Sequence, residues 1–478
     1  MTTLGDTLVR ARGIRKRFGG HEVLRDVSFS LRIGDVVVLR GENGSGKTTL
    51  LNILTGNLEP DEGVLEMSVG RRRERFRWPT HWLQRINPLR HFTPERVCRA
   101  GVGRVWQDIR LFGTLPVLDN VAIASPHPSG ENPLFVLVKR PAVMRRERQH
   151  QARAGSRLAT LGMGDKLGAS CDKLSLGQMK RVAIARAVQT GARIVMLDEP
   201  LAGLDAAGQR EVLRYIGDIA RTGQHAVVIV EHLFNLPKVL GLATHVWTLR
   251  GGSVHIEAPW QVRDEVERED WGVGAIFRRL RALENRPGGG RLEARGLVVG
   301  RGLQRVHDGY DFLPEPGATV PFAHPNGWGK STLFDAIAGV IPLGAGRVSL
   351  DGKDITSQPA SGRVRAGLSY LRSVDNVIPG LTVTEHVALV RHLATVGSRF
   401  ERWRALLPAG GKRAALLSGG ERQRLAIAGL PVGSVLLLDE PFLNLDAPSI
   451  QLLCSVLDEL GGTRVVAFPT PDSEPVEP

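Results

Sequence analysis

The sequence predicts an α/β chain of two tandem domains, each a core sheet with flanking helices and a helical subdomain. Three observations carry this. Residues 11–50 align without a gap with residues 294–333, so that Phe29 faces Phe312, Gly34 faces Gly317 and Lys47 faces Lys330. A match of that length is an internal duplication. In both copies an apolar run leads into a glycine-containing loop and then a helical pattern, VVVLRGENGSGKTTLLNIL and TVPFAHPNGWGKSTLFDAI. Each copy then carries a second apolar run ending in an acidic pair, RIVMLDEP and SVLLLDEP. Short apolar strands separated by helical segments are the pattern of a sheet covered by helices.

Composition bounds the rest. The chain has 478 residues, 42% hydrophobic and 23% charged, with net charge +14 and a pI near 10.3. That is globular composition, neither disordered nor collagen-like. Cys98, Cys171 and Cys454 lie far apart, which argues against a disulfide scaffold or zinc module and fits a reducing compartment. No apolar run approaches the roughly 18 residues a membrane span needs, and the basic N-terminus lacks a signal peptide's apolar core. The chain therefore reads as cytosolic. The positive excess suits nucleic acid or an anionic membrane face, or is simply arginine spread over a solvated surface.

The first domain is expected over residues 1–258 and the second over 292–478. Residues 259–291 read as a linker, because a mixed-charge helical stretch there closes on RPGGGR. The first copy is longer between its lysine and its acidic pair, and part of the surplus is residues 70–92. With Arg71, Arg72, Arg73, Arg75, Phe76, Arg77, Trp78 and Trp82, this insert reads as a surface element for a partner or lipid headgroups, or as an inconsequential solvated loop. Trp78 and Trp82 would share one helical face, although Pro79 lies between them. Residues 125–170 suit the helical subdomain.

Gly41 to Thr48 is G-x-x-x-x-G-K-T in the strand–loop–helix setting that phosphate binding requires. Gly41, Gly44 and Gly46, with Asn43, Ser45 and Thr49, let backbone N–H groups close around phosphate oxygens at a helix N-terminus. Lys47 reaches the terminal phosphates and the Thr48 hydroxyl holds Mg²⁺. At the second strand's end Asp198 completes the Mg²⁺ shell and Glu199 polarises the attacking water. Alone, LDEP could be a strand terminus before a turn; paired with the glycine loop it reads as catalytic.

With these motifs in place, the chain resembles an ATP-binding cassette (ABC) ATPase over nearly its whole length. Leu174-Ser175-Leu176-Gly177-Gln178 matches that family's signature and Gly203-Leu204-Asp205 its D-loop. Gln107 falls at the Q-loop, a catalytic and metal-binding position, His232 at the switch histidine, and Phe18 where an aromatic stacks on adenine. VGRVWQDIRLFGTLPVLDNVAIA, LSLGQ and VVIVEH resemble the ATPase subunits of branched-chain amino acid and urea-type importers.

The second copy is eroded. Leu417-Ser418-Gly419-Gly420-Glu421, Asp439, Glu440 and Asn444-Leu445-Asp446 keep the family pattern, as do Asn326, Gly327, Gly329, Lys330, Ser331 and Thr332. But His324 replaces the first loop glycine, Trp328 replaces Ser45, and Ser373, Thr470 and Arg301 replace the glutamine, histidine and aromatic. Trp328 could itself stack on a nucleotide, but inside a loop that must wrap phosphates it is expected to obstruct their binding.

The family pairs two cassettes head to tail. The resemblance therefore implies one competent site, formed by Lys47, Thr48, Gln107, Asp198, Glu199 and His232 with Ser418, Gly419, Gly420 and Glu421. The degenerate site would set the second loop against Ser175, Gly177 and Gln178. Erosion follows that geometry, except that Glu440 survives without a role in the scheme. The implied function is the ATP- and Mg²⁺-dependent energising subunit of an importer of amino acids or related solutes. It would work with separate transmembrane permease subunits and a solute-binding protein at the inner membrane face. The competing reading is a soluble tandem cassette acting on ribosomes or nucleic acid, favoured by the charge and the Arg/Trp insert. Such proteins usually carry two competent sites and a long charged linker, so a nucleic-acid partner is disfavoured.

Overall fold

The computed structural model describes residues 7–69, 72–80, 91–126, 140–231, 233–269, 273–283, 285, 289–301, 304–373, 376–393, 407–408, 410–431 and 433–469. The chain divides into two compact units, Met1–Arg268 and Glu269–Pro478.

In the first unit β1 (Thr7–Phe18), β2 (His21–Arg32), β3 (Val36–Arg40), β4 (Glu62–Val69) and β5 (Arg72–Trp78) precede the helical region. They are followed by β6 (Val102–Val105), β7 (Ile194–Asp198), β8 (Ala226–Val230), β9 (His245–Arg250) and β10 (Ser253–Glu257). They make an antiparallel sheet of order β2-β1-β4-β5 and a six-stranded sheet of order β10-β9-β3-β8-β7-β6. The latter is parallel except for β10. Parallel strands covered on both faces need apolar residues at successive positions, and every residue of β8, AVVIV, is buried. Alternation then sorts them by face. Val36 and Val38 join the cluster with Val182, Ile184 and Ile216 from the helices Leu176–Gln189 and Ala206–Arg221. Val37 and Leu39 pack with Leu50 and Ile53 of the helix Lys47–Leu54 and with the antiparallel sheet. The helical subdomain is built on Arg140–Thr160, which packs Val143, Ala154 and Leu158 inward.

The second unit repeats the plan with β11 (Leu292–Arg301), β12 (Gln304–Phe312), β13 (Thr319–Ala323), β14 (Ala345–Leu350) and β15 (Lys353–Asp354). It closes with β16 (Leu368–Leu371), β17 (Val435–Asp439) and β18 (Thr463–Phe468). The antiparallel sheet runs β12-β11-β14-β15 and the parallel one β13-β18-β17-β16.

Residues 259–291, read as a linker with a helical stretch, carry two helices, and the boundary between the two compact units falls inside them. In Pro259–Glu269, Val262 and Val266 enter the first unit's core, and Glu265 accepts from Arg40 at 2.5 Å. In Val273–Arg281, Ala275, Ile276, Phe277 and Leu280 are buried, and Phe277 meets Phe468 edge-on at 5.7 Å. Apolar spacing at helical period decides this, and the flanking charge merely makes the outer faces soluble.

The insert is not a helix exposing Trp78. β5 pairs with β4 in register from Gly63↔Trp78 to Val69↔Arg72. Its alternation turns Phe76 and Trp78 into the core, both 5% exposed, and leaves Arg73, Arg75 and Arg77 in solvent. Phe92 meets both aromatic rings, at 4.8 and 5.0 Å. The period is two rather than 3.6, because the strand borrows β4's ladder, which the insert's own sequence does not reveal. Arg71 and Trp82 lie outside the described residues.

Candidate nucleotide site

The phosphate loop links β3 to the helix Lys47–Leu54, and its path is set where only glycine fits. A Cβ on Gly41 would lie 2.6 Å from the Leu249 carbonyl oxygen, and one on Gly46 (φ +104°) 2.9 Å from Val23 Cγ1. Lys47 Nζ curls over the loop and donates to the carbonyls of Gly41 (2.6 Å) and Glu42 (2.9 Å). Thr48 is exposed on the first turn and Thr49 half-buried. Ser45 Oγ is buried without a hydrogen-bond partner among the described residues. Asn43 and Gly44 complete the loop. Phe18, at the end of β1, is 48% exposed, with Lys16 Nζ 5.5 Å from its ring centroid.

The acidic pair terminates β7. Glu199 sits at φ +52°, a left-handed conformation costly for a residue with a Cβ. It is held there on several sides. Its N–H donates to the Val230 carbonyl at 2.8 Å. Lys180 Nζ donates to the carbonyls of Glu199 (2.8 Å) and Ala202 (2.7 Å). Gln107 Nε2 donates to Glu199 Oε2 at 2.6 Å, joining two residues that the sequence assigned to one site from opposite ends of the cassette. Asp198 Oδ2 accepts from Arg104 Nη2 at 2.7 Å. Burial lowers the Lys180 ammonium to about 8, against the opposing pull of Glu231 and Glu199. His232 and Thr470 lie outside the described residues.

Both signatures start helices in the same way. Ser175 and Gln178 form a reciprocal capping box at Leu176–Gln189, and Ser418 and Glu421 form one at Gly419–Ala428. Gly177 approaches Leu204 and Gly419 approaches Asn444 across to the D-loops. Gly420 is buried, and Glu421 also accepts from Lys412 at 2.9 Å.

The second loop keeps the turn of the first. Trp328 does not disrupt the turn: Gly327 and Gly329 have φ +85° and +105°, against +83° and +104° at Gly44 and Gly46. Lys330 Nζ again bonds the two carbonyls opening the loop, His324 at 2.6 Å and Pro325 at 3.1 Å. The indole is absorbed sideways, stacked on His324 with centroids 3.9 Å apart and also touching His307, Tyr310 and Phe322. Asn326 remains in the loop, with Ser331 and Thr332 on the helix Lys330–Ile337. The chemistry has nevertheless changed. Burial pushes the Glu440 carboxyl up, with Asp439 reinforcing it, and also raises that of Asp439. Ser373 stands where Gln107 reaches Glu199.

Arg104 and Lys180 escaped the sequence reading, although both lie within the motifs it singled out. The available signal was a cation inside an otherwise apolar strand and another on a buried helix face.

The first site fits a nucleoside triphosphate with Mg²⁺. The orphaned Ser45 hydroxyl, a cradle closed to any Cβ at Gly41, and Lys47, Asp198 and Glu199 supply what the phosphates and metal need. Among the described residues no group of three or more His, Cys, Asp or Glu could hold a metal alone. A Mg²⁺ ion here would therefore draw on phosphate and water oxygens besides Thr48 and Asp198.

Fold and site together define a P-loop ATPase of tandem-cassette type. The chain belongs to the ABC transporter family, whose profile matches residues 24–202 and 308–443, one stretch in each unit. It is accordingly an ATP-binding protein that hydrolyses ATP to ADP and phosphate, coupled to transport. It is 30% identical to the ribose import ATP-binding protein RbsA of Chromobacterium violaceum, over 96% of this chain and 89% of that protein. It is 28% identical to the arabinose import ATP-binding protein AraG of Pseudomonas savastanoi pv. phaseolicola, over 96% and 88%. Among solved structures it resembles the ADP conformation of MJ1267, an ATP-binding cassette of an ABC transporter. That match has 25% identity and a TM-score of 0.43, covering 55% of this chain and 94% of that one. The RbsA and AraG relatives correct the subgroup: they are named for sugar import, and they support neither the branched-chain amino acid assignment nor the ribosome-acting alternative.

Proposed function

We propose that this chain is the energising subunit of an importer for ribose, arabinose, galactose or a similar sugar. Carrying this is its similarity to sugar-import ATP-binding proteins over almost the full length of both chains. No helix among the described residues is long and apolar enough to cross a membrane. The permease is then a separate transmembrane chain, served by a solute-binding protein, with this subunit docked at the inner membrane face.

Hydrolysis runs at one composite site. Lys47 and the loop N–H groups hold the phosphates, and Phe18 stacks on the base. Glu199, oriented by Gln107 and Lys180, takes the proton of the attacking water, while His232 contacts the terminal phosphate. Thr48, Asp198 and the Gln107 side chain would hold a Mg²⁺ ion, which would supply positive charge against the phosphates. Ser418, Gly419, Gly420 and Glu421 close over the same nucleotide by head-to-tail pairing of the two cassettes. The second loop, facing Ser175, Gly177 and Gln178, holds nucleotide without turning it over, because its raised Glu440 carboxyl lacks a glutamine partner.

The test is ATP-driven uptake of labelled ribose, arabinose and galactose into vesicles carrying the chain and its permease. Glu199→Gln should abolish uptake and lower ATPase activity about 10²–10⁴-fold, whereas Glu440→Gln should lower both only modestly. Equal losses would refute the asymmetry, and uptake of amino acids instead of sugars would refute the substrate class.

A further inference from the structure

Arg104 is the strongest feature of the first site that the hydrolytic scheme leaves unused. It lies on β6, where the parallel register sets it beside Met196, two residues before Asp198 on the same face of the sheet. Its side chain is 6% exposed. One guanidinium nitrogen donates to Asp198 Oδ2 at 2.7 Å and another to Asn52 Oδ1 at 2.7 Å. Its guanidinium also lies over Trp106, the residue before Gln107, with Cζ 3.8 Å from the ring centroid. Arg110 covers the same indole at 4.5 Å.

We infer that Arg104 is a positioning residue for the metal-binding carboxylate, fixing Asp198 before Mg²⁺-nucleotide arrives. The guanidinium is anchored independently of Asp198. Asn52 lies on the helix that begins at Lys47, and Trp106 lies on the segment that delivers Gln107. Arg104 thus ties together the elements carrying Lys47, Asp198 and Gln107. Bonded to Arg104, the Asp198 carboxylate would meet a Mg²⁺ ion with its rotamer already fixed.

The second unit supplies an internal comparison. Tyr370 occupies the equivalent place, beside Leu437 and two residues before Asp439, and Asp335 replaces Asn52. There Tyr370 and Arg372 both bond Asp335, at 3.1 and 3.0 Å. The cation has moved from the acidic pair to the helix, a further loss at the eroded site.

The inference rests on nucleotide binding at the first loop, so Lys330→Ala is introduced throughout to silence the second. Binding of a fluorescent ATP analogue to the full chain is titrated with Mg²⁺ and repeated in EDTA. Arg104→Met should leave metal-free affinity unchanged and raise the Mg²⁺ concentration for half-maximal enhancement about tenfold. Arg104→Lys, which keeps the charge but not the fork, should recover part of that loss. An unchanged Mg²⁺ requirement in Arg104→Met overturns the inference. So does an equal loss of metal-free binding, which would make Arg104 a fold residue. Lys47→Ala tests the site itself: retained binding there would overturn the location of the nucleotide, whatever Arg104 does.

Discussion

Replacing Lys180 by glutamine separates the support of the catalytic turn from the charge that supplies it. Lys180 is 5% exposed on the helix Leu176–Gln189, and its ammonium holds the Glu199 and Ala202 carbonyls. Burial is the largest influence on it and brings it from 10.5 to about 8. A fall of that size is about 3 kcal/mol of cost on the charged folded form. The unfolded lysine keeps its proton to about pH 10.5, the folded one only to about pH 8. Below about pH 8 the cost stands in full, and between about pH 8 and 10.5 this group's contribution to stability rises. The neutral amine still has hydrogens for both carbonyls. In the second unit the equivalent residue is uncharged: Gln423 Nε2 donates to the Pro441 carbonyl at 3.1 Å and lies 3.5 Å from that of Glu440. Lys180→Gln should therefore be at least as stable as the parent at pH 7 and keep most ATPase activity. The parent should gain about 2–3 kcal/mol on the variant between pH 7 and pH 10. Urea denaturation of both proteins at each pH measures this, since other titrating groups cancel in the difference. A difference that stays flat with pH would refute the buried charge, and an inactive glutamine variant would refute the equivalence with Gln423.

Trp78→Ala should destabilise the first unit by about 3–5 kcal/mol, as for other large buried aromatics, while Arg75→Ala on the solvent face should cost under about 0.5 kcal/mol. Urea denaturation distinguishes them, and near-equal small effects would return Trp78 to the surface. On the proposed head-to-tail pairing, which would set Ser418 against the nucleotide on Lys47, Ser418→Arg should abolish ATP turnover in the assembled complex and Ser175→Arg should leave much of it. If ATPase rates show Ser175→Arg to be the lethal change, either the two cassettes do not pair within one chain or the first pairs with another copy of itself.

The phosphate loop, the acidic pairs and both signatures were legible because each is contiguous: a glycine at a left-handed position or a serine capping its own helix needs neighbours only a few residues away. The duplication was legible for the same reason, as a run of matched residues.

The sequence by itself determined the α/β class and the two cassettes, both carried by local pattern. Only the tertiary structure decided what the remaining charged and aromatic residues do. Arg104 meets Asp198 across 94 residues of chain, Lys180 meets the Glu199 turn from a neighbouring helix, and Trp328 is drawn aside by rings on β12 and β13. Trp78 turns inward because β5 takes its register from β4. In each case the side chain's partner is chosen by which elements the sheets bring together, and a strand's own residues specify its alternation but not which neighbour will cover which face.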